Sequence, residues 1–472
     1  MTGISSYGAY VPLTRLPFSV MSGKAAKDGD AEKAVAWADE DSVTMAVSAA
    51  ASCLNGFDRS GIDGVFFATT TYSFGEKQGA SIIAKALNIT GNVRTADISG
   101  SLRSGTIALQ NAIDAVKAGS LKKVLVVAAD CRMGAQGSGI ERNGGDGAAA
   151  FLISNDNVIA TLDAAYNQAN EMMDTWRKAG DRYVHTWEDR FINLHGYTEN
   201  TVAAIKGLLA NSGNKSSDFA KIVIYGPEQR SLGDVVKAAG LPKEQVQNPL
   251  FGKLGNTGTA FAPMLLVAAL EEASAGDRIL VANYGDGAEA FSVTVTGAVT
   301  SLPKRNAMAF HLARRRTVDH YNKYISSRGL QDSEYPDVDD QGISATVQYR
   351  NRDENLSLQG QVCICGTHQF PKGRVCVRCG GKDQWSPVTY QEKTGKVVTY
   401  TFDAFFPSPE PPTVVTITEV DGGPRIHMQF TDAPAKEMDV GLPVEFVFRR
   451  IHQVGKRPNY FWKCRPVTGG NA

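Results

Sequence analysis

A strand, a turn of small residues, a helix and a buried strand occur twice, in the same order, within residues 1–299. The first copy runs GVFFATTT (Gly64 to Thr71), ADISGSLRSGTIALQNAIDAVKAG (Ala96 to Gly119) and KKVLVVAAD (Lys122 to Asp130). The second runs KIVIYGPE (Lys221 to Glu228), KLGNTGTAFAPMLLVAALEEASAG (Lys253 to Gly276) and DRILVANYGDG (Asp277 to Gly287). Ala118-Gly119 and Ala275-Gly276 end the two helical segments, and in that register GVFFA falls on KIVIY. The continuous apolar run after each helix reads as a strand buried on both faces, the kind found in a central parallel sheet. Ile107, Ala112, Ile113 and Val116 recur near helical spacing, with Gln110, Asn111, Asp114 and Lys117 filling the other side. A duplicated, layered α/β fold is therefore expected, its halves spanning residues 1–160 and 161–299.

After Val299 the character changes. HLARRRTVDHYNKYISSRGL (His311 to Leu330) reads as a basic amphipathic helix, and DSEYPDVDD (Asp332 to Asp340) is an acidic stretch, so residues 300–354 form a helical linker. Four of the seven cysteines, Cys363, Cys365, Cys376 and Cys379, then fall in one short window. The rest of the chain carries too few cysteines for a secreted disulfide framework. Four soft ligands on two knuckles are the pattern of a structural, coordinatively closed zinc site, which predicts a zinc ribbon over residues 355–382 and no catalysis there. The first knuckle has one residue between its cysteines where two are usual. His368 could replace one ligand, and a degenerate ribbon of free thiols is the alternative. Beyond it GKVVTYTFDAFF, TVVTITEV, RIHMQFTD and LPVEFVFRRI alternate with period two, so residues 383–472 are expected to form a small antiparallel barrel. FPSPEPP (Phe406 to Pro412) is a loop and not central strand.

Lys+Arg and Asp+Glu both number 49, and apolar residues make up 43% of the chain. This balance fits a globular enzyme and argues against a nucleic-acid or anionic-membrane partner. The longest apolar run, FAPMLLVAAL (Phe261 to Leu270), is too short to cross a bilayer. The first residues lack the basic head and apolar middle of a signal peptide, so a cytoplasmic location is expected. GSGIERNGGDGAAAF has many glycines but no dinucleotide fingerprint. Asp146 and its glycines make a tight turn before AAAFLIS, or bring backbone close to a pocket.

GAYVP (Gly8 to Pro12), DISGSLRSGT, GGDGAAAFLIS (Gly144 to Ser154), KLGNTGTA and NYGDGAEAF (Asn283 to Phe291) resemble the thiolase superfamily, specifically its 3-hydroxy-3-methylglutaryl-CoA synthase branch and ketoacyl-synthase relatives. The tail, from LQGQVCICGTHQFPKGRVCVRCG through GLPVEFVFRR, resembles the zinc-ribbon/OB-fold proteins that partner thiolases. The resemblance implies an acyl-CoA substrate, with coenzyme A entering as part of it. It also implies a homodimer and leaves open a complex with another acyl-CoA enzyme. In the synthases a cysteine at the elbow takes up the acyl group; Leu102 stands in its place. Thr70 stands for the glutamate acid/base and Tyr225 for the histidine, while the asparagine is kept as Asn256.

Leucine forms no thioester, so this alignment removes the covalent acyl-enzyme. Cys131 and Cys53 read better as packed small hydrophobes than as substitute nucleophiles. Backbone N–H groups at two helix N-termini, with Asn256, remain able to stabilise a thioester enolate. Aldol or retro-aldol chemistry needs only that and one acid/base. Some steroid side-chain aldolases of the superfamily, which also lack the cysteine, pair with an OB-fold protein and rely on tyrosines, are similar in this respect. Tyr225 is the first candidate acid/base, against a reading in which it only packs on the elbow. A phenol near pKa ~10 suits an acid better than a base. His185 and His195 are alternatives on a segment that caps the pocket in relatives, each also readable as a surface residue. Glu188 and Asp189 read as a solvated helix face, and Tyr72 as a second pocket candidate beside Thr70. Arg314, Arg315 and Arg316 could meet CoA phosphates or form a solvated basic face. Two other functions stay open: synthase- or thiolase-like acyl transfer, and a non-catalytic partner that binds CoA intermediates for a thiolase.

Overall fold

The computed structural model describes residues 1–330, 344–406, 408–454 and 457–468. The acidic stretch Asp332 to Asp340 and Pro407 lie outside these. The chain divides into two units, one of Met1–Ala36, Asp41–Ser81 and Ile89–Tyr321, the other of Trp37–Glu40, Ile82–Asn88 and the chain from Asn322 onward.

Apolar runs build the first unit. Its nine-stranded sheet has the order Lys221–Ile224, Arg278–Tyr284, Gly287–Val295, Ala160–Ala169, Gly3–Tyr10, Gly147–Ser154, Val124–Asp130, Gly64–Ala68, Arg94–Ile98. Gly64–Ala68 pairs in parallel with Val124–Asp130, which pairs antiparallel with Gly147–Ser154. The second copy repeats this: Lys221–Ile224 is parallel to Arg278–Tyr284, and that strand is antiparallel to Gly287–Val295. The duplicated α/β architecture read from the repeat is present, but the sheet is mixed where parallel strands were expected. The reason is local in the second copy. Gly285, Asp286 and Gly287 all have positive φ, and Tyr284 pairs with Ala288 across them, so so short a turn can only return the chain antiparallel.

Both repeat helices form, as Ser104–Lys117 and Phe261–Glu272. Every residue from Phe261 to Leu270 is buried, so this helix is apolar all round because it lies inside the protein. Among the described residues, no helix is long and apolar enough to cross a membrane. The basic segment from His311 to Leu330 is not one helix. Met308–Ala313 and Tyr321–Ser327 are helical, and Arg316–Thr317 between them pairs in parallel with Thr14–Pro17. The buried Arg15 guanidinium explains the break, since its Nη2 donates to the carbonyls of His311 and Arg314 and holds that stretch out of helix.

In the second unit Gln359–Cys363, His368–Gln369 and Trp385–Thr389 make a small antiparallel sheet around the cysteine knuckles. A five-stranded antiparallel sheet follows, ordered Arg425–Gln429, Thr413–Val420, Thr394–Asp403, Pro443–Val454, Arg457–Pro466. A bridge from Phe430 to Cys464 links its two edges in the manner of a barrel. Thr413–Val420 alternates strictly between buried and half-buried residues, as its sequence predicts. The last strand, RPNYFWKCRP, is an addition to the four segments recognised from alternation.

One side chain holds the strand ends of the first unit together. Asp130 is fully buried, and its Oδ1 accepts from Thr69 Oγ1 (2.9 Å), the Thr70 amide (2.7 Å) and Thr71 Oγ1 (2.8 Å). Its Oδ2 accepts from Thr70 Oγ1 and the Thr259 amide, both at 2.9 Å. Asp130→Ala strands the Thr70 and Thr259 amides, while the three hydroxyls can turn to other acceptors; at roughly 1–3 kcal/mol for each stranded amide, a loss of about 2–6 kcal/mol is expected. Denaturant unfolding of the variant against the native chain measures it. Asp130→Asn, which keeps one acceptor oxygen, should lose less.

Candidate active site

A cavity of about 530 Å³ opens in the first unit where the two copies of the repeat present their turns. Its walls include Leu102, Arg132, Asp174, His185, Tyr197, Tyr225, Asn256 and Tyr284.

Leu102 reaches it from the first copy. The strand Arg94–Ile98 ends, Gly100 turns the chain at φ 92°, and the helix starts at Ser104. This turn is tied to the second copy. Ser101 Oγ and Arg103 Nε donate to the Gly285 carbonyl at 3.1 and 2.6 Å, and Arg103 Nη2 donates to the Asp286 carbonyl at 3.0 Å. One turn into the helix, Thr106 donates to buried Glu289 and accepts from Asn283 Nδ2 at 2.8 Å, while Gln110 Nε2 donates to Glu289 at 2.8 Å. Burial raises the Glu289 pKa, and the Thr106 hydrogen bond, the Arg103 charge and the Gln110 hydrogen bond oppose it.

Asn256 is set by backbone. Its amide donates to the Asn143 carbonyl (2.7 Å), and its carbonyl accepts from the Gly145 amide (2.8 Å). Such close passage needs glycine on both chains. A Cβ on Gly145 would lie 2.1 Å from the Leu254 oxygen, and one on Gly255, at φ 88°, would lie 2.6 Å from the Gly144 oxygen. The glycines around Asp146 thus serve backbone approach, with Gly144 itself on the cavity wall. Asn256 Nδ2 donates to the Gly226 carbonyl (2.8 Å), and Oδ1 accepts from the Gly258 amide (2.9 Å). The expectation that Asn256 helps to hold an oxyanion meets a side chain already committed to its own turn and to Tyr225.

Tyr225 follows the strand Lys221–Ile224 and is 3% exposed. Tyr197 Oη donates to its carbonyl at 2.6 Å, and the Phe261 ring stands edge-on at 5.7 Å. Burial raises its pKa, while the Arg132 charge and a hydrogen bond with Asn256 work the other way. The net direction is upward, so the phenol keeps its proton at neutral pH.

Residues that sequence reasoning missed complete the wall. Tyr284 closes the strand Arg278–Tyr284, and its Oη donates to Asp174 Oδ2 at 2.7 Å. Burial, reinforced by Asp174, pushes its pKa far up. Tyr284 had a signal, since NYGDG ends the last strand of the second copy. Arg132 and Asp174 had none, because both lie on loops outside the repeat.

His185 lines the cavity from the paired segments Thr175–Trp176 and His185–Thr186. It is exposed, 3.2 Å from Asp181, and its ring stacks on Trp176. Asp189 also reaches the rim, but His195 and Glu188 do not line the cavity; His195 instead sits 3.1 Å from Glu199. Thr70 and Tyr72, candidate pocket residues, do not line it either. Thr70 is bound to Asp130, and Tyr72 packs against Phe67 and Phe74, its pKa raised by burial. No cysteine is on the wall among the described residues. Cys53 is buried beside Ser6 with its pKa pushed up to about 11 by burial, and Cys131 lies against Thr71. Arg314, Arg315 and Arg316 are also absent from the wall; Arg315 pairs with Glu32 at 3.5 Å.

In the second unit the sulfurs of Cys363, Cys365, Cys376 and Cys379 lie within 4.8 Å of one another. Two of the separations are 3.7 Å (Cys363 to Cys379) and 3.6 Å (Cys365 to Cys376). A tetrahedron with metal–sulfur bonds of about 2.3 Å has edges near 3.8 Å, so the donors fit a tetrahedral thiophilic ion. The shortened first knuckle does not spoil the bite. His368 is turned to Tyr390, 3.2 Å away, and is not in the cluster.

Comparison with known proteins matches residues 209–296 to the family described as 3-oxoacyl-[acyl-carrier-protein] synthase III C terminal, and residues 388–449 to the ChsH2 C-terminal OB-fold domain. In solved structures the fold is similar to an HMG-CoA synthase complexed with CoA, with a TM-score of 0.62 and 20% identity over 73% of this chain and 94% of that one. It is also similar to 3-oxoacyl-[acyl-carrier-protein] synthase III from Aquifex aeolicus, with a TM-score of 0.54 and 21% identity over 62% of this chain and all (100%) of that one. The hydroxymethylglutaryl-CoA synthase of Methanocaldococcus jannaschii is 31% identical over 334 residues, 68% of this chain and 96% of the relative. That of Pyrococcus furiosus is 32% identical over 337 residues, 69% of this chain and 95% of the relative. The thiolase-like fold and the OB-fold tail expected from the motifs are thus both found, and the chain belongs to the hydroxymethylglutaryl-CoA synthase family.

Proposed function

We propose that the chain makes or breaks a carbon–carbon bond in a CoA thioester by aldol or retro-aldol chemistry, through a thioester enolate and without an acyl-enzyme. One observation carries this reading: the residue at the elbow, on the cavity wall, is Leu102, and no described cysteine shares that wall. The family's synthases act on CoA thioesters, which supplies the substrate class. Without a thiol, what remains is stabilisation of negative charge on the thioester oxygen. Backbone N–H groups where the helix Ser104–Lys117 begins are suited to that, because the helix dipole points its positive end there.

Tyr225 is the acid in this scheme. A buried phenol that keeps its proton donates it to the oxygen of the new β-alkoxide in condensation and recovers it in cleavage. Arg132 steadies the phenolate in between. Asn256 positions Tyr225, and His185 is a polar group at the rim.

Two measurements test the scheme. After incubation with acetyl-CoA, intact-protein and peptide mass spectrometry should find no acylated cysteine; a stable acetyl group on Cys131 or Cys53 would instead favour acyl transfer. Tyr225→Phe should lower β-hydroxyacyl-CoA formation or cleavage by about 10²–10⁴-fold with the fold retained, as read by chromatography of the CoA products and by circular dichroism. Unchanged turnover in that variant removes Tyr225 as the acid.

Cys363, Cys365, Cys376 and Cys379 would hold one zinc ion per chain, with a purely structural role because four thiolates leave no open position. Metal analysis of the purified chain should return about one zinc per chain. Cys365→Ser should lose most of it and make the ribbon sensitive to protease, with turnover in the first unit tested in parallel.

A further inference from the structure

One acid/base moves the β-hydroxyl proton, but condensation must first remove an α-proton, and the protonated Tyr225 cannot also be the base for that step. Thr70, at the position of the family's glutamate, carries no carboxylate and is bound to Asp130 away from the cavity. The described carboxylates on the cavity wall are Asp174, Asp189 and Glu228. Asp189 is exposed at the rim. Glu228 precedes the helix Gln229–Ala239 and accepts from Ser231 Oγ at 3.2 Å.

Asp174 is half-buried, as Glu228 is, and differs from both in its partner: its Oδ2 takes the hydroxyl of the wall residue Tyr284 at 2.7 Å. Tyr284 immediately precedes Gly285, whose carbonyl is bound by Ser101 and Arg103 of the elbow. The carboxylate is thereby fixed, through one rigid phenol, to the same turn that presents Leu102. The π-helix Ile192–Thr198 closes over the pair at Gly196, where a Cβ would lie 2.6 Å from Tyr284 Oη. Since burial and Asp174 both drive the Tyr284 pKa upward, Tyr284 keeps its proton and Asp174 is the acceptor. A carboxylate has about four lone-pair sites, and the contacts from Tyr284 and the Thr175 amide occupy two.

Building on the aldol reading above, we propose that Asp174 is the general base that removes the α-proton of the acyl-CoA, with Tyr284 as its positioning residue. The Cα–H bond breaks, its proton passes to the Asp174 carboxylate, and its electron pair becomes the thioester enolate. The enolate carbon bonds to the carbonyl carbon of the second substrate, whose oxygen takes the proton from Tyr225. The proton on Asp174 then replaces the one Tyr225 gave up, by way of solvent. In sum a proton has moved from carbon to oxygen, with no redox partner.

The test separates proton abstraction from bond formation. Acetyl-CoA is incubated with the full chain in D2O, and deuterium entering the methyl group is followed by mass spectrometry. The native chain is expected to exchange. Asp174→Asn should exchange at least about 100-fold more slowly while binding CoA with native affinity, and Asp174→Glu should recover part of the rate. Tyr284→Phe, which loosens the base without removing it, should slow exchange by about tenfold. Exchange at the native rate in Asp174→Asn overturns the assignment of Asp174 and leaves the aldol reading standing. No exchange by the native chain overturns the aldol reading, and the base falls with it. If Asp174→Asn does not fold, Asp174→Ser, which also lacks a carboxylate, decides: native exchange there overturns the assignment.

Discussion

A buried carboxylate with five donors around it organises the end of the first unit at which the cavity opens. Asp130 gathers the three threonines after the strand Gly64–Ala68 and the amide of Thr259, which belongs to the other copy of the repeat. Burial of a lone carboxylate is unfavourable, and only full satisfaction by hydrogen bonds makes it tolerable. That demand is also what gives the contact its specificity, because the turn carrying Asn256, Thr257 and Gly258 must reach the right place for Thr259 to donate. Asn256 and Tyr225 stand where they do because this turn is anchored at both of its ends, on Asp130 and on the backbone of Asn143 and Gly145.

Much of the fold was legible because burial writes itself as periodicity. The runs VLVVAAD and RILVANY are continuous and apolar since each lies mid-sheet with neighbours on both sides, and TVVTITEV alternates since one face of its strand is buried. Sheet direction was less legible. Parallel and antiparallel partners bury an apolar strand alike, and the difference lay in the Gly285–Gly287 turn, whose backbone angles leave little trace in hydrophobicity. The basic stretch at His311 failed for another reason. Its periodicity is helical, but the deciding interaction is a guanidinium from the far end of the sequence, Arg15.

The site was legible to the extent that it is built from the repeat. Leu102, Tyr225 and Asn256 sit at equivalent strand ends and helix starts, and all three line the cavity. Thr70 sits at such a place too, yet it turns toward Asp130 and away from the cavity, a choice set by a carboxylate sixty residues away. Asp174 and Arg132 come from connecting loops, where neither periodicity nor spacing singles out a residue. What the structure adds is their convergence: three tyrosines, Tyr197, Tyr225 and Tyr284, pack ring against ring, and a cation and an anion approach two of their hydroxyls.

The passage of Gly144 and Gly145 against Leu254 and Gly255 has a consequence for how such a pocket can change. Its walls are joined there by main chain to main chain, an attachment indifferent to which side chains project inward. The side chains that project inward can therefore change without dismantling the enclosure. The architecture behaves as a socket, and reactivity is a property of whatever happens to be fitted into it.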